Sequence, residues 1–422
     1  MILIYRFLTI LLYPIFIILI YVRKLLDKED KNRYKEKIFP DYSFKKKKGN
    51  KKIIWFHAAS IGEVHSIFPV IQNIGNNKNI KFLITTVTLS AGNIVKSQLS
   101  KHQNIEHAYF PFDINFLIRN FLNKWNPNLI VFVDSEIWPN LIFEVKRRNI
   151  PLVLINGRIT KKSFSRWMLI SNFAKKVFSK FDLCLASSKE SEKMLKQLNI
   201  KNLKYIGNIK LANKTKKRNS IDKNLKVLKV KKIWCAASTH RGEEVVCLKT
   251  HLNLKKHYND IITIIIPRHI KRSEEISELC KKYKVTFQIL EDKDVVKAGK
   301  EIIIVNSFGT LIKFFGYSKS VFMGKSLIKE LEKESGQNPI EAAKLGCKIY
   351  HGPYVYNFKE VYKFLNHHKI AEKVYDDEEL SKNLLNDLKD TKDNRNKIVE
   401  KINKLGEKIL IRSVKEINRF LI

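Results

Sequence analysis

The sequence predicts an α/β protein of two doubly wound domains in tandem, and three observations carry that prediction. Short apolar, β-rich runs alternate with helix-length segments along most of the chain. The alternation is broken once, by a basic polar stretch at 209–232, and then resumes. At about 150 residues per domain, a chain of 422 residues suggests two or three domains, and 44% hydrophobic content supplies sizeable cores.

The N-terminus comes first. Residues 7–22 are an uncharged, mostly apolar run of marginal spanning length once residues 1–5 are added, with Arg6 as the one charge. No A-x-A-like cleavage site follows. Residues 23–52 then hold 13 Lys or Arg against 5 Asp or Glu, including the run Lys45–Lys48. By the positive-inside rule this predicts a single membrane anchor at 1–24 with the rest of the chain on the cytoplasmic side. A helix lying in the interface is the alternative, because Pro14 and Arg6 both weaken a straight span.

The first domain is expected over 25–208. Lys52–His57, Ile80–Thr86, Leu129–Val133 and Leu152–Ile155 read as buried parallel strands, with helices such as Glu63–Ile74 and Ile114–Trp125 between them. Residues 209–232 carry ten basic residues against Asp222 and read as the linker. The second domain, 233–422, repeats the pattern through Ile233–Ala236, Ile261–Pro267, Thr286–Ile289, Ile302–Val305, Val321–Met323 and Lys348–His351. It ends in a charged helical tail from about 375. Ligands of such sheets gather at the carboxyl ends of the strands, so the motifs there carry the functional reading.

After the first strand comes His57-Ala58-Ala59-Ser60-Ile61-Gly62-Glu63-Val64. Small residues such as Gly62 let a ligand approach the backbone. Ser60 and Glu63 have the spacing of a capping box, and a carboxylate at the mouth of the strand also suits a general base toward a hydroxyl. Both readings stand at this point. Asp134-Ser135-Glu136-Ile137-Trp138-Pro139-Asn140 crowds two acids, a Trp and a Pro into one strand-to-helix turn, where capping and substrate positioning by Glu136 are both open. Asn156-Gly157-Arg158 follows, and Arg158 has the chemistry to hold a carboxylate or phosphate. Residues 161–180 interleave basic and aromatic side chains, as a helix on lipid headgroups does and as an ordinary half-buried helix also does.

In the second half, Pro267-Arg268-His269 follows the strongest strand, where Arg268 could neutralise a phosphate. Gly324-Lys325-Ser326 lacks the frame of a P-loop, though Lys325 offers a further phosphate contact. Gly336-Gln337-Asn338-Pro339-Ile340-Glu341 reads as a turn into a helix capped by Asn338, exposing amides to an anion with Glu341 near a ribose.

The charge balance, 80 Lys or Arg against 41 Asp or Glu, admits nucleic acid, an anionic membrane or a phosphorylated substrate. No helix-turn-helix, finger or RNA-binding aromatic signature is present, so nucleic acid is not expected. Five Cys without a C-x-x-C pair fit a reducing compartment. Eleven His without an H-x-x-x-H spacing give no metal-site reading, and no cofactor is called for.

These blocks in this order resemble the bacterial 3-deoxy-D-manno-octulosonic acid (Kdo) transferases. The resemblance rests on HAASIGEV (57–64), DSEIWPN (134–140), NGRITKKS (156–163), GNIK (207–210), AASTHRGEE (236–244), PRH (267–269), GQNPIEAA (336–343) and the GP and NF pairs at 352–358. It implies a GT-B fold, two Rossmann-like domains facing across a cleft, and a metal-independent, inverting glycosyltransferase of lipopolysaccharide synthesis at the cell inner membrane. The donor would be CMP-Kdo, the acceptor lipid IVA, and the docking surface anionic inner-membrane lipid. Glu63 matches the family's general base and Arg268 its cytidylate-phosphate ligand. Asn338, Glu341 and Gly336 match nucleotide-binding positions. Ser60, Gly62, Glu136, Arg158, Lys210 and Lys325 fall in the matching blocks as substrate-positioning candidates. The chain departs from the family at Gly324-Lys325-Ser326, where a G-G-S turn is common, and at Gly336-Gln337-Asn338, where G-G-H-N is. Another membrane-associated GT-B glycosyltransferase with a different nucleotide sugar, and a catalytically silent lipid-binding adaptor, are the competing expectations.

Overall fold

The computed structural model describes residues 1–39, 51–75, 79–99, 104–213, 228, 231–292, 294–307, 309–389 and 394–421. The chain forms two compact units, Met1–Asn213 together with Leu405–Ile422, and Lys214–Lys404. In the first, strands β1 (Lys52–His57), β2 (Ile80–Thr86), β3 (Ile105–Tyr109), β4 (Leu129–Val133), β5 (Leu152–Gly157), β6 (Leu183–Ala186) and β7 (Leu203–Tyr205) form one sheet in the order β3-β2-β1-β4-β5-β6-β7. Its described pairings are all parallel. In the second, β8 (Lys232–Thr239), β9 (Ile261–Pro267), β10 (Phe287–Leu290), β11 (Ile302–Val305), β12 (Ser320–Met323), β13 (Lys348–His351) and β14 (Ala371–Lys373) follow the order β10-β11-β9-β8-β12-β13-β14. The winding reverses between β1 and β4 in one sheet and between β8 and β12 in the other. These are the switch points outside which open α/β sheets hold ligands.

The long apolar strands stand where the sequence predicts them, because both faces are covered by helices and each residue is apolar. All five residues of β4 are buried, and so are all seven of β9. Four strands carry no such run. β3 (IEHAY) holds an acid and a histidine, β6 has four residues, and β7 and β14 are three-residue edge strands whose side chains are mostly exposed or half-buried. Tertiary pairing rather than local pattern makes them strands.

The N-terminal segment is not a single spanning helix. It forms two helices, Ile2–Leu11 and Tyr13–Leu25, bent by 50° at Leu12, and no single described helix is long and apolar enough to cross a membrane. Pro14 lies in the first turn of the second helix, where its missing N–H interrupts the ladder. One face of the pair, at 3.6-residue spacing, packs on the first unit. Ile2 and Tyr5 meet its core, Thr9 is buried, and Ile17 and Ile20 join Tyr34, Ile38 and Phe112. The Tyr5 hydroxyl donates to Asp113 Oδ2 at 3.0 Å, and Asn140 Nδ2 donates to Thr9 Oγ1 at 3.2 Å. Buried Asp113 also accepts from the amides of Asn140 and Leu141, each at 2.9 Å, and so caps the helix Pro139–Arg147. The opposite face exposes Leu3, Ile4, Phe7, Leu11, Ile15, Ile18 and Leu25. Part of the basic flank is spent internally, since Arg23 and Lys37 both pair with buried Glu29, while the flank's Asp30 takes Lys96 at 2.6 Å. The Lys45–Lys48 run lies outside the described residues.

The expected domain boundaries differ from the observed units in two places. Ile209–Ala212 is a 3-10 turn of the first unit rather than linker, and most of the remaining linker lies outside the described residues. The last helix, Arg395–Asn418, belongs to the first unit from Leu405 onward rather than wholly to the second. There Gly406 lies against the Leu211 backbone, where any side chain would collide, and Glu416 accepts from Lys204 at 2.8 Å. A polar helix with a narrow apolar stripe gives no sign in sequence of which core it will meet.

Asp113→Ala should cost about 2 kcal/mol and Tyr5→Phe about 1 kcal/mol of stability, because the first leaves two buried amides unpaired and the second removes one hydrogen bond. Urea denaturation of the full chain checks this, and an Asp113→Ala midpoint equal to that of the parent would refute the cap's role.

Candidate active site

At the first switch point, β1 ends at His57 and a short loop leads into the helix Ile61–Ile74. Ser60 caps it: the Glu63 amide donates to Ser60 Oγ at 3.4 Å, and the Ser60 hydroxyl donates to Glu63 Oε1 at 2.7 Å. The other carboxylate oxygen takes the Ala59 amide at 2.8 Å. Glu63 is therefore a capping residue and, at 8% exposure, a nearly buried acid at the strand's mouth. Burial first, then repulsion from Asp134 and from Glu136, push its pKa up to about 7, against the Ser60 and Ala59 bonds that favour the charge. A carboxyl poised near neutrality is suited to taking a proton.

The acids that press on Glu63 come from the end of β4. Asp134 sits in the left-handed region (φ 60°) and is held by Asn156 Nδ2 from the end of β5 and by Lys210 Nζ at 2.6 Å. Asn156, itself left-handed (φ 53°), accepts the Ile209 amide at 3.0 Å, which fixes the GNIK segment against the site. Gly62 faces the Lys210 stem, its open side about one methyl contact away (4.0 Å to Cε). Glu136 is half-buried and accepts from Trp138 Nε1 at 3.0 Å. Arg158 is half-buried at the end of β5, and its amide donates to the Asp134 carbonyl at 3.0 Å. The structure thus brings Ser60, Gly62, Glu63, Glu136, Arg158 and Lys210 to one sheet end. Sequence reasoning left Asp134 and Asn156 without this role. Their signal was a polar residue directly after each of two adjacent apolar strands.

At the second switch point, Glu243 is the organising group. Its carboxylate is fully buried and accepts four backbone amides: His240 (2.9 Å), Lys325 (2.7 Å), Ser326 (2.8 Å) and Leu327 (3.1 Å). Burial pushes its pKa up and the four donors pull it back. Gly324 is required here, since a Cβ would lie 2.6 Å from the Ser238 carbonyl and 2.8 Å from Glu243 Oε2. The loop after β12 resembles an anion cradle, but the protein's own carboxylate fills it. Lys325 is left-handed (φ 56°), and its carbonyl accepts the Gly336 amide at 2.7 Å. Ser326 Oγ accepts the Gly352 amide at 2.8 Å, and Ser335 Oγ the Tyr356 amide at 3.0 Å. The loops at 324–327, 335–338 and 352–358 are therefore stitched into one wall.

The expected helix-terminal anion site at 338–341 is corrected. The helix is only Ile340–Lys344, and Asn338 Oδ1 itself accepts the Ile340 amide at 3.1 Å. Pro339 rather than Asn338 stands at the N-cap, Asn338 closes the turn just before it, and five residues carry too little aligned dipole for an anion site. Asn338 and Glu341 are half-buried beside it. Arg268 is exposed directly after β9, its amide on the Thr239 carbonyl at 3.1 Å. Nearby Arg272 is committed to Glu244 (2.7 Å) and Arg241 to Glu275 (2.9 Å), whereas Arg268 makes no ion pair among the described residues. Burial holds neighbouring His240 down to about 4, so it is neutral. Among the described residues no group of three His, Cys, Asp or Glu is placed to hold a metal ion.

Two doubly wound parallel sheets, each with its polar residues gathered at a switch point, form the architecture of the GT-B glycosyltransferases. A glycosyltransferase from Rickettsia africae shares this fold at a TM-score of 0.56 and 15% identity, over 88% of this chain and 99% of that one. A family model described as 3-deoxy-D-manno-octulosonic-acid transferase matches residues 32–213. The chain is 31% identical over 417 residues to the 3-deoxy-D-manno-octulosonic acid transferase of Rickettsia bellii, covering 96% of this chain and 97% of that protein. It is 30% identical to the transferase of the same description from Haemophilus influenzae, over 79% and 78% of the two chains. The chain belongs to the 3-deoxy-D-manno-octulosonic acid transferase family and is a glycosyltransferase.

Glu243→Ala should leave four buried amides unpaired and speed amide exchange at 325–327 at least tenfold. Hydrogen exchange read by mass spectrometry tests this, and unchanged protection of that loop would remove Glu243 as its brace.

Proposed function

We propose that this chain transfers Kdo from CMP-Kdo to lipid IVA, with inversion, without a metal, and with Glu63 as general base. The observation that carries the reading is the nearly buried Glu63 carboxylate, raised to about 7 at the first switch point. A base there takes the proton of the attacking sugar hydroxyl. The hydroxyl oxygen forms the new bond to the anomeric carbon of Kdo as the bond from that carbon to the phosphate oxygen breaks. CMP leaves with the electron pair on its phosphate, where Arg268, unpaired with any described acid, supplies positive charge. Asn338, Glu341 and Gly336 line the nucleotide side, joined by Lys325 on the braced loop. Glu136, Arg158 and Lys210 attend the acceptor, with Asp134 setting the field on Glu63.

The lipid acceptor and the inner membrane are supported by the bent N-terminal helix pair. Its outward face is apolar while its inward face is bonded to the first unit, the form of a helix pair lying in the interface rather than spanning it. Leu169, 85% exposed beside Met168 and Arg166, adds a second apolar point. On this reading the chain works at the cytoplasmic side of the inner membrane, against anionic lipid.

Incubation with CMP-Kdo and lipid IVA, followed by mass analysis, should show addition of Kdo and release of CMP. Preference for a UDP-sugar in a donor panel would favour another glycosyl transfer, and lipid binding with no CMP release would leave only an adaptor. Glu63→Gln should lower turnover at least a thousandfold with the fold intact. Since the base acts ionised, kcat/KM for the acceptor should rise with pH and level off above a midpoint near 7. A profile flat from about pH 5.5 to 8 would rule Glu63 out as the titrating base.

A further inference from the structure

His57 ends β1 and is fully buried, its ring packed against Phe110 (centroids 4.3 Å apart), Phe132 (5.6 Å) and Trp138 (6.4 Å). Nδ1 lies 2.8 Å from Thr85 Oγ1, and the same oxygen accepts Trp55 Nε1–H at 2.7 Å. An indole only donates, so Thr85 accepts from Trp55 and keeps one hydrogen and one lone pair for the contact with Nδ1. When the Thr85 hydroxyl donates to Nδ1, the ring proton stands on Nε2. That atom is buried without a hydrogen-bond partner and stands 3.5 Å from Glu136 Oε2, the oxygen already taken by Trp138 Nε1. A buried N–H donor aimed at a site carboxylate is costly to leave unmade.

We propose that His57 is a positioning residue for Glu136: its Nε2–H closes on Oε2 when the acceptor sugar is bound, and with Trp138 locks the carboxylate so that Oε1 is presented to a sugar hydroxyl. Closure needs a movement of about 0.5 Å. The Trp55–Thr85–His57 chain fixes the donor from the core side, so the orientation of Glu136 is set by residues of β1 and β2 that touch no substrate. A held Glu136 also keeps constant its repulsion on Glu63. The proposal rests on the reading of this sheet end as the acceptor site.

Two measurements test it. In protein labelled with 15N at histidine, the His57 ring should show the Nε2–H tautomer at about pH 8, and Glu136→Gln should shift the Nε2 and its proton resonance. A Nδ1–H tautomer, or a His57 signal indifferent to Glu136→Gln, overturns the proposal whatever the substrate is. In kinetics, His57→Phe, which fills the aromatic box without a donor, should lower kcat/KM for the acceptor at least tenfold while KM for the donor stays within twofold. His57→Gln should recover part of the loss. Wild-type kinetics in His57→Phe beside an inactive Glu63→Gln would overturn the role of His57 and leave the assigned base standing. An active Glu63→Gln would remove the base, while the resonance experiment still decides His57.

Discussion

The Asp134 carboxylate is held from two sides, by Asn156 from the end of β5 and by Lys210 from the segment after β7. Both Asp134 and Asn156 adopt left-handed backbone, which short polar side chains tolerate and branched ones do not. The chain turns sharply at the end of each strand, and the two side chains meet over the sheet. The first unit's electrostatics depend on this tie. It places a fixed negative charge beside Glu63, and burial and charge together move a carboxyl from the acid range to neutrality. Lys210 pairs with Asp134, yet Asp134 still stands second only to burial among the causes that raise Glu63.

The second unit solves a different problem with similar parts. A loop of amides after β12 would in many α/β proteins receive a phosphate; here Glu243, from the helix after β8, occupies it. The loop is braced from within before any ligand arrives, and Arg268 stays exposed and makes no ion pair among the described residues. Preorganisation of this kind lowers the entropy lost on binding.

Much of this was legible in the sequence. The strands at and beside each switch point include the long buried apolar runs β2, β4 and β9, so the two sheets and the position of the motifs at their carboxyl ends could be read directly. Ser60 and Glu63 could be read as a capping pair and as a base candidate, and the structure shows one carboxylate that caps its helix and lies nearly buried at the strand's mouth. What could not be read lies where tertiary contact decides. β3, β6, β7 and β14 are too short or too polar to announce themselves. The inward face of the N-terminal helix pair depends on a partner, Asp113, more than a hundred residues away. Glu243 looked like an ordinary acid at a helix start, and only the approach of the β12 loop reveals it as an internal counterpart of a ligand. His57 sat in a motif whose chemistry was credited to its neighbour.

The Tyr5–Asp113–Asn140 contact gives the bent N-terminal helix pair a standing that apolar terminal segments do not generally have. Most such segments are interchangeable: any apolar stretch that holds a protein to lipid will serve. Here the helix pair whose outer face offers leucines and isoleucines to its surroundings is bonded, on the other side, to the cap of the helix that follows Glu136 and Trp138. Transplanting a foreign apolar segment would keep an apolar surface and dissolve that joint. The bent pair is better regarded as an organ of the first domain than as its tether, and its sequence must supply a bonded inner face as well as an apolar outer one.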